Sequence, residues 1–317
     1  MSRVASTVPP RGVRAVVLAA LLGLVAAGCG YSDTPLPEPS AAASSSAAPA
    51  ATVRCDNATQ SYAPDATGGA SVRTIKQRKR LIAGVSADSL LLGANDPLDN
   101  RIKGFDIDVA QAIAEALGVK LQLRVISAAD RIPLLQQGAI DIVARNFTMN
   151  CARWQQVAFS AVYYSAAQKV LVRRDDEASF TGASSLRGKK VCAPRGSTSL
   201  DNIPRLLPGA EPVAATNHAG CLILFQRGEA DAITGDDTVL AGLVAQDRYA
   251  VVPEQKALTR EPYGIGMNKD DVDLVRFVNA VLERREADGR WQRSYDRWLR
   301  PALSGADARP PAPEYGR

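Results

Sequence analysis

Between residues 72 and 299, apolar positions recur in two alternating rhythms, and the switches between them predict a run of β and α elements. Phe105, Val109, Ile113 and Leu117 recur every fourth residue, the stripe of an amphipathic helix. Asp106 and Asp108 stand in its first turn, where the helix dipole favours anions, and Gly118 follows as a C-terminal stop. Residues 81–85, 121–126 and 140–144 read as strands, with a short helix at 132–137. The pattern then restarts: strands at 169–172, 190–193 and 230–233 accompany a helix at 219–227. Two helices end the run. Leu274, Phe277, Val278, Val281 and Leu282 share one face of the first, and Trp291, Tyr295, Trp298 and Leu299 one face of the second. That aromatic stripe reads as core packing. Alternation of this kind implies an α/β fold with parallel-rich sheets covered by helices.

The flanks lack such periodicity. Residues 34–51 are dominated by Pro, Ala and Ser and read as a solvated tether, while 301–317, with Pro310, Pro311 and Pro313, read as a Pro-rich disordered tail. At the start, Arg3, Arg11 and Arg14 precede a thirteen-residue apolar run at 15–27, then Gly28 and Cys29. A basic segment, a short apolar run and small residues make a secretory signal, and the run is too short for an ordinary membrane-spanning helix. The cysteine resembles that of a bacterial lipobox, with Ala26 where the usual leucine stands. Residues 1–28 are thus expected to be removed, leaving Cys29 acylated on the outer face of the cell membrane.

The net charge is +5, and loss of the three leader arginines leaves +2, too little to suggest a nucleic-acid partner. Four further cysteines remain, Cys55, Cys151, Cys192 and Cys221, an even number that outside the cytoplasm favours disulfides. Three connectivities are open. With no C-x-x-C pair, zinc and thioredoxin-like chemistry are not expected. Cys192–Cys221 would tie a strand to a helix, and Cys55–Cys151 would pin the end of the tether.

The chain has one histidine, His218, and neither G-x-S-x-G nor H-E-x-x-H. His218 reads as a surface or helix-start residue. The stretch from Gly182 to Lys190 is not a phosphate loop: five residues separate its glycines, and Lys190 stands where a hydroxyl must meet magnesium. The basic run at 76–80 reads as a solvated helix face. No enzyme chemistry, metal or cofactor is expected.

Six stretches carry a resemblance: Gly104-Phe105-Asp106-Ile107-Asp108; Asn146-Phe147-Thr148-Met149-Asn150-Cys151-Ala152-Arg153; Leu186-Arg187-Gly188-Lys189-Lys190-Val191; Arg195-Gly196-Ser197-Thr198-Ser199; Ala230-Asp231-Ala232-Ile233-Thr234-Gly235-Asp236; and Glu261-Pro262-Tyr263-Gly264-Ile265-Gly266. In this order and spacing they resemble the family 3 extracellular solute-binding proteins, polar-amino-acid binders of ABC importers. They are most similar to glutamine/glutamate/aspartate-binding lipoproteins of actinobacteria. The resemblance implies two α/β lobes of the type II periplasmic-binding class, joined by a two-strand hinge near 165–169 and 260–264, with the ligand in the cleft. It divides the chain into a signal (1–28), a tether (29–71), lobe one (72–166 and 264–300), lobe two (167–263) and a tail (301–317).

A free α-amino acid brings a carboxylate and an ammonium, and burying both requires a cation and an anion to compensate the desolvation. By resemblance, Arg153 grips the α-carboxylate, with Thr148 in support. The Asn146 carbonyl and Asp236 receive the ammonium. Ser197 and Thr198 offer backbone N–H groups from the second lobe, at a helix N-terminus. Ser86 stands where many relatives have an acid that also meets the ammonium, so the ammonium is expected to rely mainly on Asp236. Arg145 and Arg195 are expected to read a side-chain carboxylate, hence aspartate or glutamate over glutamine or asparagine. The resemblance implies a monomer that delivers its ligand to a permease. A sensor feeding a transmembrane signalling partner, or a dehydratase on the same fold, are the competing readings.

Overall fold

The computed structural model describes Cys55 and residues 57–303 and 308–317. The signal segment, Cys29 and the tether up to residue 54 lie outside the described residues. Lobe one opens with helix α1 (Ala70–Arg78) and strand β1 (Arg80–Val85). Three short strands, β2 (Asp88–Ser89), β3 (Gly93–Asp96) and β4 (Arg101–Lys103), then form a small sheet of their own. Helix α2 (Phe105–Leu117), β5 (Lys120–Val125), α3 (Arg131–Gln136), β6 (Ile142–Val143), α4 (Cys151–Trp154) and β7 (Val157–Phe159) complete the first pass. Strand β8 (Tyr164–Arg173) leads into lobe two, which holds β9 (Lys190–Pro194), α5 (Thr198–Leu206), β10 (Glu211–Ala215), α6 (His218–Gln226), β11 (Ala232–Asp236), α7 (Asp237–Val244) and β12 (Ala250–Val251). Strand β13 (Thr259–Tyr263) returns the chain to lobe one for β14 (Gly266–Asn268), α8 (Val272–Ala287) and α9 (Arg290–Trp298).

The lobe-one sheet has the order β5-β1-β6-β14-β7. Its first three strands run parallel, and β14 is antiparallel to both neighbours. The lobe-two sheet has the order β10-β9-β11-β8-β12, with β13 also paired to β8. Strand β9 is parallel to β10 and β11, whereas β8 is antiparallel to β11, β12 and β13. Strands β8 and β13 pair from Tyr164↔Tyr263 to Gln168↔Thr259, so the two crossovers lie side by side.

The apolar patterns explain the layers. Phe105, Val109 and Ile113 are fully buried, and α2 packs against β1, β5 and α8. Each such side chain contributes roughly 1.5–3 kcal/mol. Trp291 stacks on Tyr295 at 5.4 Å, meets Phe105 edge-on at 5.9 Å, and donates from Nε1 to the Tyr163 carbonyl at 2.7 Å. The aromatic stripe is therefore core. In lobe two, strand alternation divides the core: Leu171, Cys192 and Ile233 face one cluster, while Val170, Val172, Val191 and Ala193 face another. The expected disulfides are formed, Cys192 (β9) to Cys221 (α6) and Cys55 to Cys151 at the start of α4, with Cα–Cα distances of 5.6 and 5.5 Å.

The two flanks depart from expectation. The end of the assigned tether and the assigned disordered tail pack on lobe one and on each other. Ser61 is fully buried, its Oγ donating to the Phe159 carbonyl at 2.8 Å. Its N–H donates to the Glu314 carbonyl, and its carbonyl accepts from Gly316. Tyr315 reaches Glu283, and the Arg317 guanidinium lies 3.9 Å over the Trp154 ring. The two flanking segments satisfy one another's backbone groups, a pairing that low apolar content does not reveal. Strands β2–β4 and β10 are also additional to the sequence reading, which placed of helix α5 only its N-terminus at Ser197 and Thr198. Helix α5 contains Pro204, a residue that argues against a helix in a sequence.

Candidate functional site

The loop between β6 and α4 forms the lobe-one wall of the interlobe cleft. Asn146 adopts a left-handed conformation with φ of 32°, which asparagine tolerates. Its N–H donates to Asp106 Oδ2 at 2.8 Å, and Tyr163 holds Asp106 Oδ1 at 2.7 Å, so the first turn of α2 anchors the loop. Burial raises the Asp106 carboxyl to about 6. Asn150 caps α4 by accepting from the Arg153 N–H at 2.8 Å, which sets the helix that carries Arg153.

Two guanidiniums project from this wall. Arg153 donates to the Thr148 carbonyl at 2.6 Å and to the Gly196 carbonyl, across the cleft, at 3.2 Å. Arg131, first residue of α3, donates to the carbonyls of Ala128 at 2.9 Å, Asn146 at 3.2 Å and Gly196 at 3.0 Å. Both lie over the Phe147 ring, at 4.9 and 4.4 Å. Burial pulls Arg153 down to about 10 against the pull of Glu261, and it lowers Arg131 further, with Arg153 and Arg145 adding repulsion.

Lobe two closes from the other side. Gly196 has φ of 74°, and a Cβ there would meet Ala129 Cα at 2.8 Å, so only glycine allows this approach. Ser197 caps α5: its Oγ accepts from the Leu200 N–H at 3.1 Å and donates to the Pro194 carbonyl at 2.7 Å. Thr148 and Thr198, from opposite lobes, donate to the same oxygen of buried Glu261, at 2.7 and 2.8 Å. Tyr263 donates to Asp236 Oδ2 at 2.5 Å, while Asp236 Oδ1 is buried with no hydrogen bond of good geometry, the Asn146 side chain being the polar neighbour that holds the carboxyl's pKa down. Burial, and then repulsion from Glu261, raise the Asp236 carboxyl to about 7.

Beside Asp236 stand Arg145 and His218. Arg145 is 4% exposed, and its Nε has no partner. His218 is also buried, and its ring hydrogen bonds to the backbone of Thr234 while Nε2 has no partner. Burial, and then repulsion from Arg145, lower the imidazole to about 4, so it is neutral at pH 7. A Cβ on Gly235 would meet this Nε2 at 2.6 Å; the glycine makes room for the ring.

Of the residues expected at the site, Arg145, Asn146, Thr148, Ser197, Thr198 and Asp236 line the cleft together. Arg153 adjoins them through Gly196. Arg195 is displaced from its expected place: its side chain is exposed, and its N–H pairs with Ala215 as the chain leaves β9. Ser86 is buried but does not line the cleft, because its hydroxyl is engaged within a turn by Asp88 and Ser89. The Asn146 carbonyl, expected for the ammonium, accepts from Arg131. His218 does start a helix, α6, but is buried in the cleft wall and not on the surface. Arg131, which lines the cleft, and Glu261, which joins Thr148 to Thr198, were not assigned a role by the sequence reading. Arg131 left one signal, a cation at a helix N-terminus, where the dipole disfavours it.

The cleft thus brings convergent cations and a buried carboxylate with one poorly satisfied oxygen into a single lining. Two α/β lobes hinged by two strands around such a cleft define a bilobal solute-binding protein. Residues 81–301 match the sequence profile of the bacterial extracellular solute-binding proteins, family 3, and the chain belongs to that family. It is 34% identical to the ABC transporter glutamine-binding protein GlnH of Bacillus subtilis, over 73% of this chain and 85% of that protein. It is 31% identical to the glutamate-binding protein GluB of Corynebacterium efficiens, over 72% of this chain and 82% of that protein. Among solved structures it is similar to the ancestral amino acid-binding protein AncCDT-1, a precursor of cyclohexadienyl dehydratase, with a TM-score of 0.68 and 31% identity, covering 73% of this chain and all of that one. Among the described residues, no helix is long and apolar enough to cross a membrane.

Proposed function

We propose that this protein is a lipid-anchored receptor that captures a free acidic amino acid, glutamate or aspartate, by cleft closure and presents it to an ABC importer. The observation that carries this reading is the pairing of the poorly satisfied Asp236 Oδ1 with two guanidiniums that share one neutral carbonyl oxygen. A buried carboxylate oxygen without a well-placed donor is costly, and an ammonium supplies the donors. Arg131 and Arg153 have more to gain from a carboxylate than from the Gly196 carbonyl. Arg145, buried and with a free Nε, supports a second carboxylate on the ligand.

Glutamine or asparagine is the second reading, and His218 favours it. A neutral ring with an unpaired Nε2 accepts a hydrogen bond, and Arg145 beside it donates one; a carboxamide satisfies both. Relatives named for glutamine and for glutamate fit these two ligand classes. The reading as a binder and not an enzyme rests on the family and on relatives named as binding proteins. Anchoring at Cys29 follows from the order of basic, apolar and small residues before the cysteine. Delivery to a permease and action as a monomer rest on family membership; a sensor would use the same closure.

Calorimetry on ligand-stripped protein with a panel of L-amino acids tests the reading. Glutamate or aspartate should bind at about the micromolar level, roughly −8 kcal/mol. Tighter binding of glutamine, asparagine, lysine or arginine would overturn the acidic assignment.

A further inference from the structure

Away from the cleft, the surface of lobe one between α2, α8 and α9 holds a second pocket of about 280 Å³. Its charged lining is Asp108 and Glu115 from α2, Arg285 from α8, and Arg290, Arg293 and Arg297 from α9. Arg285 extends the row of α8 formed by Leu274, Val278, Val281 and Leu282, where the helical pattern calls for an apolar side chain. It is 4% exposed. Its Nη1 donates to the Asp108 carbonyl at 3.2 Å, while Nε and Nη2 have no hydrogen-bond partner. Those two nitrogens form the side-on edge of the guanidinium, the edge that grips two oxygens of one anion in parallel bonds.

The neighbouring acids are already engaged. Asp108 Oδ2 accepts from Ser294 Oγ at 2.6 Å and Trp298 Nε1 at 2.9 Å, and Glu115 accepts from Gln111 at 3.0 Å. Asp288 pairs with Arg290 at 2.7 Å. Arg293 and Arg297 stand exposed at the rim. Burial lowers the Arg285 pKa, with Asp108 opposing. A cation this deeply buried with half its fork unengaged is unfavourable, and a small anion in the pocket supplies the missing acceptors.

We propose that Arg285, Arg290, Arg293 and Arg297 form an oxyanion site for a phosphate group, separate from the amino-acid cleft. The same group is present in free phosphate and in the headgroup of an anionic phospholipid. The test is thermal unfolding of the full chain carrying Cys29→Ser, so that no acyl chain contributes, in phosphate against chloride at equal ionic strength. Phosphate at about 10 mM should raise the Tm by about 2–5 °C. Arg285→Leu, which completes the apolar row and should fold, should abolish the increment; the exposed pair Arg293→Gln and Arg297→Gln should reduce it. Co-sedimentation with phosphatidylglycerol vesicles, against phosphatidylcholine, separates the sources. Arg285-dependent capture by phosphatidylglycerol assigns the headgroup, and a phosphate increment alone assigns the free ion. Neither effect, or effects unchanged in Arg285→Leu, would overturn the site.

Discussion

Arg131 and Arg153 donate to one and the same oxygen, the Gly196 carbonyl of the opposing lobe, at 3.0 and 3.2 Å. Two buried cations therefore share a single neutral acceptor at the seam between the lobes. A carboxylate at this position would gain charge-assisted hydrogen bonds from both guanidiniums. Arg131 should matter to binding as Arg153 does, although only Arg153 lies in the motif. Arg131→Gln should weaken every bound amino acid by at least tenfold in calorimetry; selective loss of one ligand class would instead assign Arg131 to the side chain.

Asp236 makes binding depend on pH. Its carboxyl is raised to about 7 in the empty site, and it must be ionised to receive an ammonium. Binding then releases a proton wherever the empty site holds one, that is, below about pH 7. Affinity should be level above about pH 8 and fall by up to tenfold per unit as pH drops below 7. Asp236→Asn should bind weakly at every pH and lose the slope. A flat profile in the wild type would remove Asp236 from the ammonium site.

Ligand selectivity should rest on Arg145 and His218. The Asp236 proton is common to all ligands and cancels in the ratio of glutamate to glutamine affinity. His218 does not cancel: a side-chain carboxylate stabilises the imidazolium and lifts its pKa from about 4, whereas a carboxamide does not. The ratio should therefore rise as pH falls from about 7 to 5, and His218→Gln should flatten it. Arg145→Gln should weaken glutamate more than glutamine. Arg195→Gln should change neither, because its side chain is exposed. Equal losses for both ligands in Arg145→Gln would place Arg145 outside the side-chain subsite.

How much of this was legible depends on what each residue's neighbours encode. The helix at 105–117 was legible because four apolar positions repeat at one spacing, and Asp236 because it ends an apolar strand within a motif. Arg131 was not, since a short helix carries no period long enough to single it out. His218 reaches the cleft only because Gly235, seventeen residues later, leaves it space at 2.6 Å, a relation that no local pattern carries. Arg195 misled because Gly196 turns the chain immediately after it. The pairing of Ser61 with Tyr315 joins segments that composition alone marks as solvated.

Each disulfide should stabilise the fold through the chain it constrains. Cys192–Cys221 closes 29 residues and Cys55–Cys151 closes 96. Replacing either pair by serine or alanine should cost about 2–4 kcal/mol in denaturant unfolding. Loss of Cys55–Cys151 should also weaken ligand binding, since Cys151 opens the helix that carries Arg153. Peptide mapping under non-reducing conditions that returned free thiols would contradict both expectations.

The central claim is that the interlobe cleft grips the zwitterionic group shared by amino acids. Calorimetric titration of L-glutamate into ligand-stripped wild type and Arg153→Ala tests it most directly. Removing one partner from a buried charge pair costs about 3–5 kcal/mol. The account predicts binding at about the micromolar level in the wild type and a loss of roughly two to four decades in the variant. Equal affinity in the two proteins would contradict it.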